Sequence, residues 1–380
     1  MKILFAGGGS GGHFYPLIAV ARAVRKMAEE ENIARVDLYL MSDDQIDPDI
    51  LMEERIKFIL IPAGKMRRYF SLKYFGDSVK TLTGLVMAFW RMYFLVPDVV
   101  FSKGGYASFP VLAAARILNI PVMIHESDTV PGLVNQWAGK WAARIGVSFE
   151  ESLKYFEGKN AALVGNPMRP QIIGGNVLEA TDYFKLEEGE HAPPVLLVLG
   201  GSQGALRINE AVLTMLPEAL PKYQIIHQTG KAHFTDISGS AGVTLEKNPF
   251  QQRYHPYAFF EEGEMRNASK AASLIISRAG AGSIFEISAW GLPSILIPLP
   301  SSAQDHQREN AYAYARFGAC EIIEETNLTP HLLLAQIDKI LADKGRVAKM
   351  QRAAQAFSRL DAAEKIAGEL IKMGLHENAG

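Results

Sequence analysis

The sequence predicts an α/β chain built as two doubly wound parallel-sheet domains facing a cleft, and three observations carry that expectation. At 380 residues the chain exceeds one comfortable core, since domains run to ~100–200 residues. Short β-branched or aliphatic runs alternate with longer segments of helical period, the rhythm of a parallel sheet with helical crossovers. The two halves also open alike, Ile3-Leu4-Phe5-Ala6-Gly7-Gly8-Gly9-Ser10-Gly11-Gly12 against Leu196-Leu197-Val198-Leu199-Gly200-Gly201-Ser202-Gln203-Gly204-Ala205, each reading as strand, glycine loop and helix.

In the first half the expected strands are Ile3–Ala6, Val36–Met41, Phe58–Ile61, Val99–Ser102, Val122–His125 and Arg144–Ser148. The pattern lapses after Val164-Gly165-Asn166-Pro167, and a polar stretch over 187–194 precedes the next strand, so the linker falls between them. The second half repeats the rhythm with Val195–Leu199, Gln224–His227, Leu274–Ser277 and Ser294–Pro298, a second Rossmann-like domain. Domains are therefore expected at 1–165 and 166–357. Gln351–Met373 reads as amphipathic helix, and its part at about 358–375 is expected to pack back on the first domain.

Composition narrows the function. A net charge of −2 lacks the electrostatic footprint of a general nucleic-acid binder. The single cysteine, Cys320, excludes an internal disulfide framework and a cysteine-rich metal site and fits a reducing compartment. The apolar run before the first glycines is too short for a signal peptide. Leu82–Val96 is broken by Arg91 and stopped by Pro97, short of the ~20 residues that span a bilayer.

Three loops carry chemistry. Gly7-x-Gly9-x-x-Gly12 after a strand suits close approach of backbone amides to a phosphate or sugar at a helix start, with a plain structural turn and a dinucleotide loop as alternatives. The dinucleotide reading wants an acid ~20 residues on, and Asp43 and Asp44 come later than that. His13 follows the glycines directly, placed for proton transfer. Gly200–Ala205 has the same physics, with Ser202 adding a hydroxyl. In Ser277-Arg278-Ala279-Gly280-Ala281-Gly282-Ser283-Ile284-Phe285-Glu286, small residues open a helix carrying a carboxylate. Glu286 suits paired ribose hydroxyls or is a simple helix-start charge. Gln304-Asp305-His306-Gln307 is either a sugar grip or a polar cap.

Together with Gly104-Gly105-Tyr106, His125-Glu126, Pro131-Gly132-Leu133, Gly165-Asn166-Pro167-Met168-Arg169 and His227-Gln228-Thr229-Gly230-Lys231, these motifs resemble the MurG family over about residues 3–320. That family comprises the bacterial peptidoglycan N-acetylglucosaminyltransferases of the B-type glycosyltransferase fold. The resemblance implies an inverting hexosyltransferase that moves N-acetylglucosamine from UDP-N-acetylglucosamine (UDP-GlcNAc) to lipid I, undecaprenyl-diphospho-N-acetylmuramoyl-pentapeptide, giving lipid II. It makes the first domain the acceptor and membrane side and the second the donor side. It implies His13 as catalytic. Ser10, Gly11, Gly12, Arg169, Ser202, Phe260, Ala281, Gly282, Ser283, Glu286 and Gln307 fall on the donor, Phe260 against uracil and Glu286 on ribose. Tyr106, Glu126, Asp128 and Asn135 fall on the acceptor side. Asp128 stands where some members carry Asn, His306 replaces one of two adjacent glutamines, and Gly263-Glu264 reads as a local insertion.

No cofactor and no obligatory metal are expected, since the one DxD match, Asp47-Pro48-Asp49, lies outside every proposed donor loop. Expected partners are UDP-GlcNAc, lipid I, an anionic membrane surface and other cell-wall synthesis proteins, with no nucleic acid. Residues 65–97 supply the membrane surface: Lys65, Arg67, Arg68, Lys73, Lys80 and Arg91 stand against Asp77 alone among aromatic residues. Within them Phe75, Val79, Leu82, Val86 and Phe89 form a stripe that is core-facing or membrane-facing. The expected location is peripheral, on the cytoplasmic face of the inner membrane. Rival readings are another B-type UDP-sugar transferase, a UDP-sugar epimerase, or a non-catalytic nucleotide-sugar-binding scaffold.

Overall fold

The computed structural model describes residues 1–8, 11–64, 73–201, 204–300, 302 and 305–375, with the side chains of residues 73–75 excepted. The chain divides into two units, Met1–Arg169 with Arg359–Gly380, and Pro170–Ser358.

The first unit holds β1 (Lys2–Ala6), β2 (Asp37–Ser42), β3 (Lys57–Leu60), β4 (Val99–Ser102), β5 (Val122–Glu126), β6 (Arg144–Val147) and β7 (Ala161–Leu163), in the order β3-β2-β1-β4-β5-β6-β7. Every pairing is parallel. β4 and β5 are buried along their whole length, which is why they read as continuous apolar runs rather than as alternations. In β1 alternate side chains serve opposite faces. Ile3 and Phe5 join a core with Leu17, Val20 and Val24 of α1 (Gly11–Glu30) and with Ile366 and Leu370 of α14 (Ala362–Gly374). Leu4 and Ala6 join another with Ala88 and Met92 of α3 (Lys73–Leu95) and Val111 and Leu112 of α4 (Phe109–Ile117).

The second unit holds β8 (Val195–Leu199), β9 (Gln224–Gln228), β10 (Tyr254–Tyr257), β11 (Leu274–Ser277), β12 (Ser294–Leu296) and β13 (Cys320–Ile322), in the order β10-β9-β8-β11-β12-β13, again all parallel. In both sheets the order reverses beside the first strand of the unit. That point, at the carboxyl ends of the strands, is where open α/β sheets bind ligands.

The sequence reading missed β7, β10 and β13. Two lie at sheet edges in three-residue form and β10 contains Pro256, which suits an edge strand and weakens the sequence signal. The expected tail helix is two helices, α13 (Lys344–Phe357) and α14, which belong to different units. The break at 358–361 carries neither Gly nor Pro, so nothing in local composition marks it.

The middle of the stripe on α3 turns away from the core, whereas Phe89 packs half-buried against it and the Phe75 side chain lies outside the described residues. Gly84, Ala88 and Met92 face inward, whereas Val79 is 49%, Leu82 63% and Val86 51% exposed. The helix and the loop after β3 meet so closely at Gly84 that a Cβ there would lie 1.8 Å from the Pro62 carbonyl oxygen. No helix among the described residues is long and apolar enough to cross a membrane.

Candidate functional site

In the first unit the loop after β1 runs into α1, whose first three residues are Gly11, Gly12 and His13. No acid occupies that first turn, and the backbone N–H groups of a helix start suit an anion or a sugar oxygen. Pro16 lacks the N–H that would otherwise reach the Gly12 carbonyl. The loop after β4 comes alongside: a Cβ at Gly105 would lie 3.6 Å from His13 Cε1 and Nε2. Gly104 and Gly105 have φ of 79° and 80°, and a Cβ at Gly104 would press on the Asn135 amide at 2.7 Å. Glycine is needed there on both counts. Tyr106 follows, its phenol pKa raised by burial and then by its hydrogen bond to Asp43.

Glu126, 4% exposed at the end of β5, organises the next loop. Its Oε1 accepts from the Asp128 amide at 3.0 Å, and its Oε2 from the Gly132 amide at 3.1 Å and Asn135 Nδ2 at 2.9 Å. Burial, then the Asp128 charge, push the Glu126 carboxyl above the usual carboxylate range against those three donors. Asn135 also donates to the His125 carbonyl at 3.1 Å. Asp128 is half-buried and its carbonyl accepts from Ser152 Oγ at 2.7 Å. Arg169 stacks its guanidinium on the Tyr15 ring, 4.4 Å from the centroid.

Sequence reasoning missed Lys103. It is 2% exposed, and its ammonium donates to His125 Nδ1 at 2.7 Å, Ser127 Oγ at 2.5 Å and Asn166 Oδ1 at 2.9 Å. The signal was a lysine directly after the strand run Val99-Val100-Phe101-Ser102 and directly before two glycines.

In the second unit β8 leads through Gly200, Gly201 and Gly204 to α7 (Leu206–Ala219). Gly201 and Gly204 have φ of 74° and 79°. β11 leads to α10 (Ala281–Trp290), capped by Gly280, so Ala281, Gly282 and Ser283 form its first turn and Glu286 stands half-buried within the second. A Cβ on Gly280 or Gly282 would meet nothing within 4 Å, so the approach to this helix start is open. Arg278 braces the loop from below, bonding the Ile297 carbonyl at 3.1 Å and pairing with Glu325. Gln307, in α11 (His306–Arg316), accepts from the Leu299 amide at 3.0 Å through Oε1.

Phe260 is 2% exposed. Its ring packs on Phe184 and Tyr257 with centroids 5.9 and 5.3 Å away, so a base here would meet the backbone rather than the ring. Gly263-Glu264, read as an insertion, opens α9 (Glu262–Ala271), with Glu264 completing a capping box with Glu261. Asp47, of the formal DxD, caps α2 (Pro48–Glu53) by accepting from the Ile50 amide at 3.2 Å. Ser10, Ser202, Gln304 and residues 65–72 lie outside the described residues. Among the described residues no three His, Cys, Asp or Glu side chains are grouped to hold a metal.

Two parallel sheets, each opening a helix through a glycine loop at its switch point, define a chain of two nucleotide-binding-type α/β units. Residues 3–147 match the glycosyltransferase family 28 N-terminal domain and residues 195–366 the glycosyltransferase family 28 C-terminal domain. Curated relatives include UDP-N-acetylglucosamine--N-acetylmuramyl-(pentapeptide) pyrophosphoryl-undecaprenol N-acetylglucosamine transferases from Clostridium kluyveri, 36% identical over 89% of this chain and 91% of the relative. The namesake from Thermodesulfovibrio yellowstonii is 36% identical over 96% and 97%. The chain belongs to this family of N-acetylglucosamine transferases. Its fold is shared with MurG of Acinetobacter baumannii, TM-score 0.72 at 24% identity over 98% of this chain and 99% of that one. It is shared too with the UDP-GlcNAc 2-epimerase of Neisseria meningitidis bound to UDP-GlcNAc, TM-score 0.67 at 13% identity over 98% and 100%.

Proposed function

We propose that the chain transfers N-acetylglucosamine from UDP-GlcNAc to the undecaprenyl-linked muramoyl-pentapeptide acceptor, lipid I, as the names of its relatives state for them. One observation carries the donor half: the open glycine-capped start of α10 with Glu286 in its second turn. Amides at such a start attract a diphosphate or base edge, and a carboxylate one turn further accepts from both ribose hydroxyls. Gln307 commits its Oε1 to the backbone, so its Nε2 end is the one a sugar oxygen meets. Arg169 is a further donor contact that the family resemblance implies.

The transfer inverts the anomeric carbon. The acceptor hydroxyl oxygen bonds to that carbon, the carbon–oxygen bond to UDP breaks with its electron pair leaving on the phosphate, and the hydroxyl proton passes to a base. His13, on the glycine-opened start of α1 against Gly105, takes the proton or orients the hydroxyl. Charge on the departing UDP is met by the helix starts of the second unit and by Arg169. This reading calls for no metal and no cofactor. Tyr106, Asp128 and the loop fixed by Glu126 and Asn135 form the acceptor side.

A lipid-borne acceptor suits a peripheral position on the cytoplasmic leaflet, where UDP-GlcNAc is available. The exposed side chains of α3 support that placement: Trp90 is 52%, Tyr93 55% and Phe94 76% exposed, with Lys80 and Arg91 also exposed beside them. Incubation with UDP-GlcNAc and a lipid I analogue, followed by mass spectrometry, tests the function. The expected product is the acceptor plus one N-acetylhexosamine; N-acetylmannosamine formed without acceptor would instead mark epimerisation.

A further inference from the structure

We infer that Gln228 is a positioning residue for the donor, a buried clamp that holds the glycine loop after β8 and the segment before α9 at one spacing. The inference rests on the donor reading given above. Gln228 ends β9, next to the central strand of the second sheet, and is 3% exposed. Its Nε2 donates to the Gly201 carbonyl at 3.3 Å, and its Oε1 accepts from the Phe260 amide at 3.3 Å. Its own carbonyl accepts from the Gly200 amide at 3.2 Å. One residue therefore makes three hydrogen bonds to two loops, the one assigned to the diphosphate and the one assigned to the base.

The chemistry of the two partners explains the residue type. One loop offers a carbonyl and the other an N–H, so the bridge needs a donor and an acceptor on one fork, which a primary amide provides. A carboxylate would set oxygen against the Gly201 carbonyl, and an apolar side chain would leave both loops unpaired. His227 and Thr229 on either side are 0% exposed, so the end of a buried strand carries three consecutive polar residues, a costly arrangement unless each is paired. Each is. His227 bonds Tyr254 at 2.9 Å and Asn209 Oδ1 at 3.0 Å, Asn209 Nδ2 donates to the Thr229 carbonyl at 2.9 Å, and the Thr229 amide donates to the Tyr257 carbonyl at 2.9 Å. Asn209 sits in the first turns of α7. The end of β9 thus holds the start of the glycine loop directly and the first turn of α7 through Asn209, and Gln228 extends the fixation to Phe260. Backbone amides stabilise a diphosphate best when their spacing is set before the ligand arrives.

The test is calorimetric titration of UDP and of uridine into the full chain as wild type, Gln228→Met and Gln228→Glu, with steady-state kinetics on both substrates. Gln228→Met keeps the length and loses both side-chain bonds. It is expected to weaken UDP about tenfold, as two ordinary buried hydrogen bonds imply, and to raise the donor KM by the same factor with the acceptor KM unchanged. Gln228→Glu keeps the acceptor facing Phe260 and loses the donor facing Gly201, so it is expected to weaken UDP while uridine binds as in wild type. UDP binding of Gln228→Met within twofold of wild type overturns the inference, as does an equal rise in both KM values, which marks a general loss of structure. If Gln228→Met does not fold, an equal loss of UDP and uridine in Gln228→Glu overturns it. A wild-type chain that binds no UDP would instead bring down the donor reading itself.

Discussion

The ammonium of Lys103 donates to His125 Nδ1 across 2.7 Å, deep in the first unit. On the far side of the ring, His125 Nε2 lies 2.8 Å from the Gly165 carbonyl. A carbonyl only accepts, so the proton sits on Nε2 and the Nδ1 lone pair faces Lys103. Burial, and then the Lys103 charge, hold the imidazole well below its ordinary pKa, in the neutral form this geometry needs. Lys103 has three N–H groups and three acceptors, His125, Ser127 and Asn166, drawn from β5, the loop behind it and the turn after β7. It is a knot tying three strand ends beneath the loop that Glu126 organises, and among the described residues no carboxylate touches it.

That knot predicts a pH dependence. Burial pushes the Lys103 ammonium from 10.5 down to about 7, against the distant charges of Glu126 and Asp128. Between pH 7 and 10.5 the unfolded chain then binds a proton that the folded one has released, so this group makes stability rise with pH across that window, and its full penalty is felt below pH 7. Lys103→Met removes the difference in proton uptake; the three lost hydrogen bonds shift stability by an offset and leave no slope. Urea denaturation at pH 7, 8.5 and 10 should show wild type gaining on Lys103→Met by up to about 1.4 kcal/mol per pH unit. Parallel curves for the two proteins would refute it.

Glu286→Ala is predicted to raise the donor KM tenfold or more, the scale of about 1.5–3 kcal/mol for hydrogen bonds to a charged group. Its half-buried place in α10 leaves the fold intact. Initial rates over a UDP-GlcNAc series at fixed acceptor measure it; an unchanged donor KM removes Glu286 from the ribose role.

His13→Ala is predicted to lower kcat by ~10²-fold or more, the range of a lost general base. UDP affinity should hold, because His13 is assigned to the acceptor hydroxyl and not to the donor. Single-turnover transfer at saturating substrates gives the number, and wild-type turnover in the variant would take His13 out of the chemistry.

Much of this was legible in the sequence, for reasons that differ by element. The strands of the two sheet centres announce themselves because burial on both faces demands unbroken apolar runs, as in Val195–Leu199. The glycine loops are legible because Gly201 and Gly204 must take positive φ. Edge strands such as Ala161–Leu163 bury little and leave no such mark. Pairing across the sequence is the least visible. Lys103 reads as an ordinary surface charge until Asn166, 63 positions on, is placed against it. Phe260 matched its motif by position, yet its ring is turned inward by Phe184, a partner no local pattern names.

The last prediction concerns the membrane. Along α3, Trp90 stacks on Phe94 with centroids 6.1 Å apart, and Tyr93 meets both rings edge-on at 5.9 and 5.4 Å. These rings are more than half exposed, and Leu82 and Val86 continue the surface along the helix. A self-stacked aromatic patch held in water, flanked by Lys80 and Arg91, suits the interface of an anionic leaflet, where rings enter the headgroup layer and basic groups stay at its surface. Replacing Trp90 and Phe94 by Gln removes apolar area that the helix does not use for packing, so the melting temperature should hold. Binding to phosphatidylglycerol-containing vesicles should fall at least tenfold. The binding that remains, from exposed charges, should weaken further as salt shortens the screening length below ~8 Å. Turnover on a short-chain soluble acceptor should be kept. Undiminished sedimentation of the double variant with anionic vesicles would show that a different surface makes the contact.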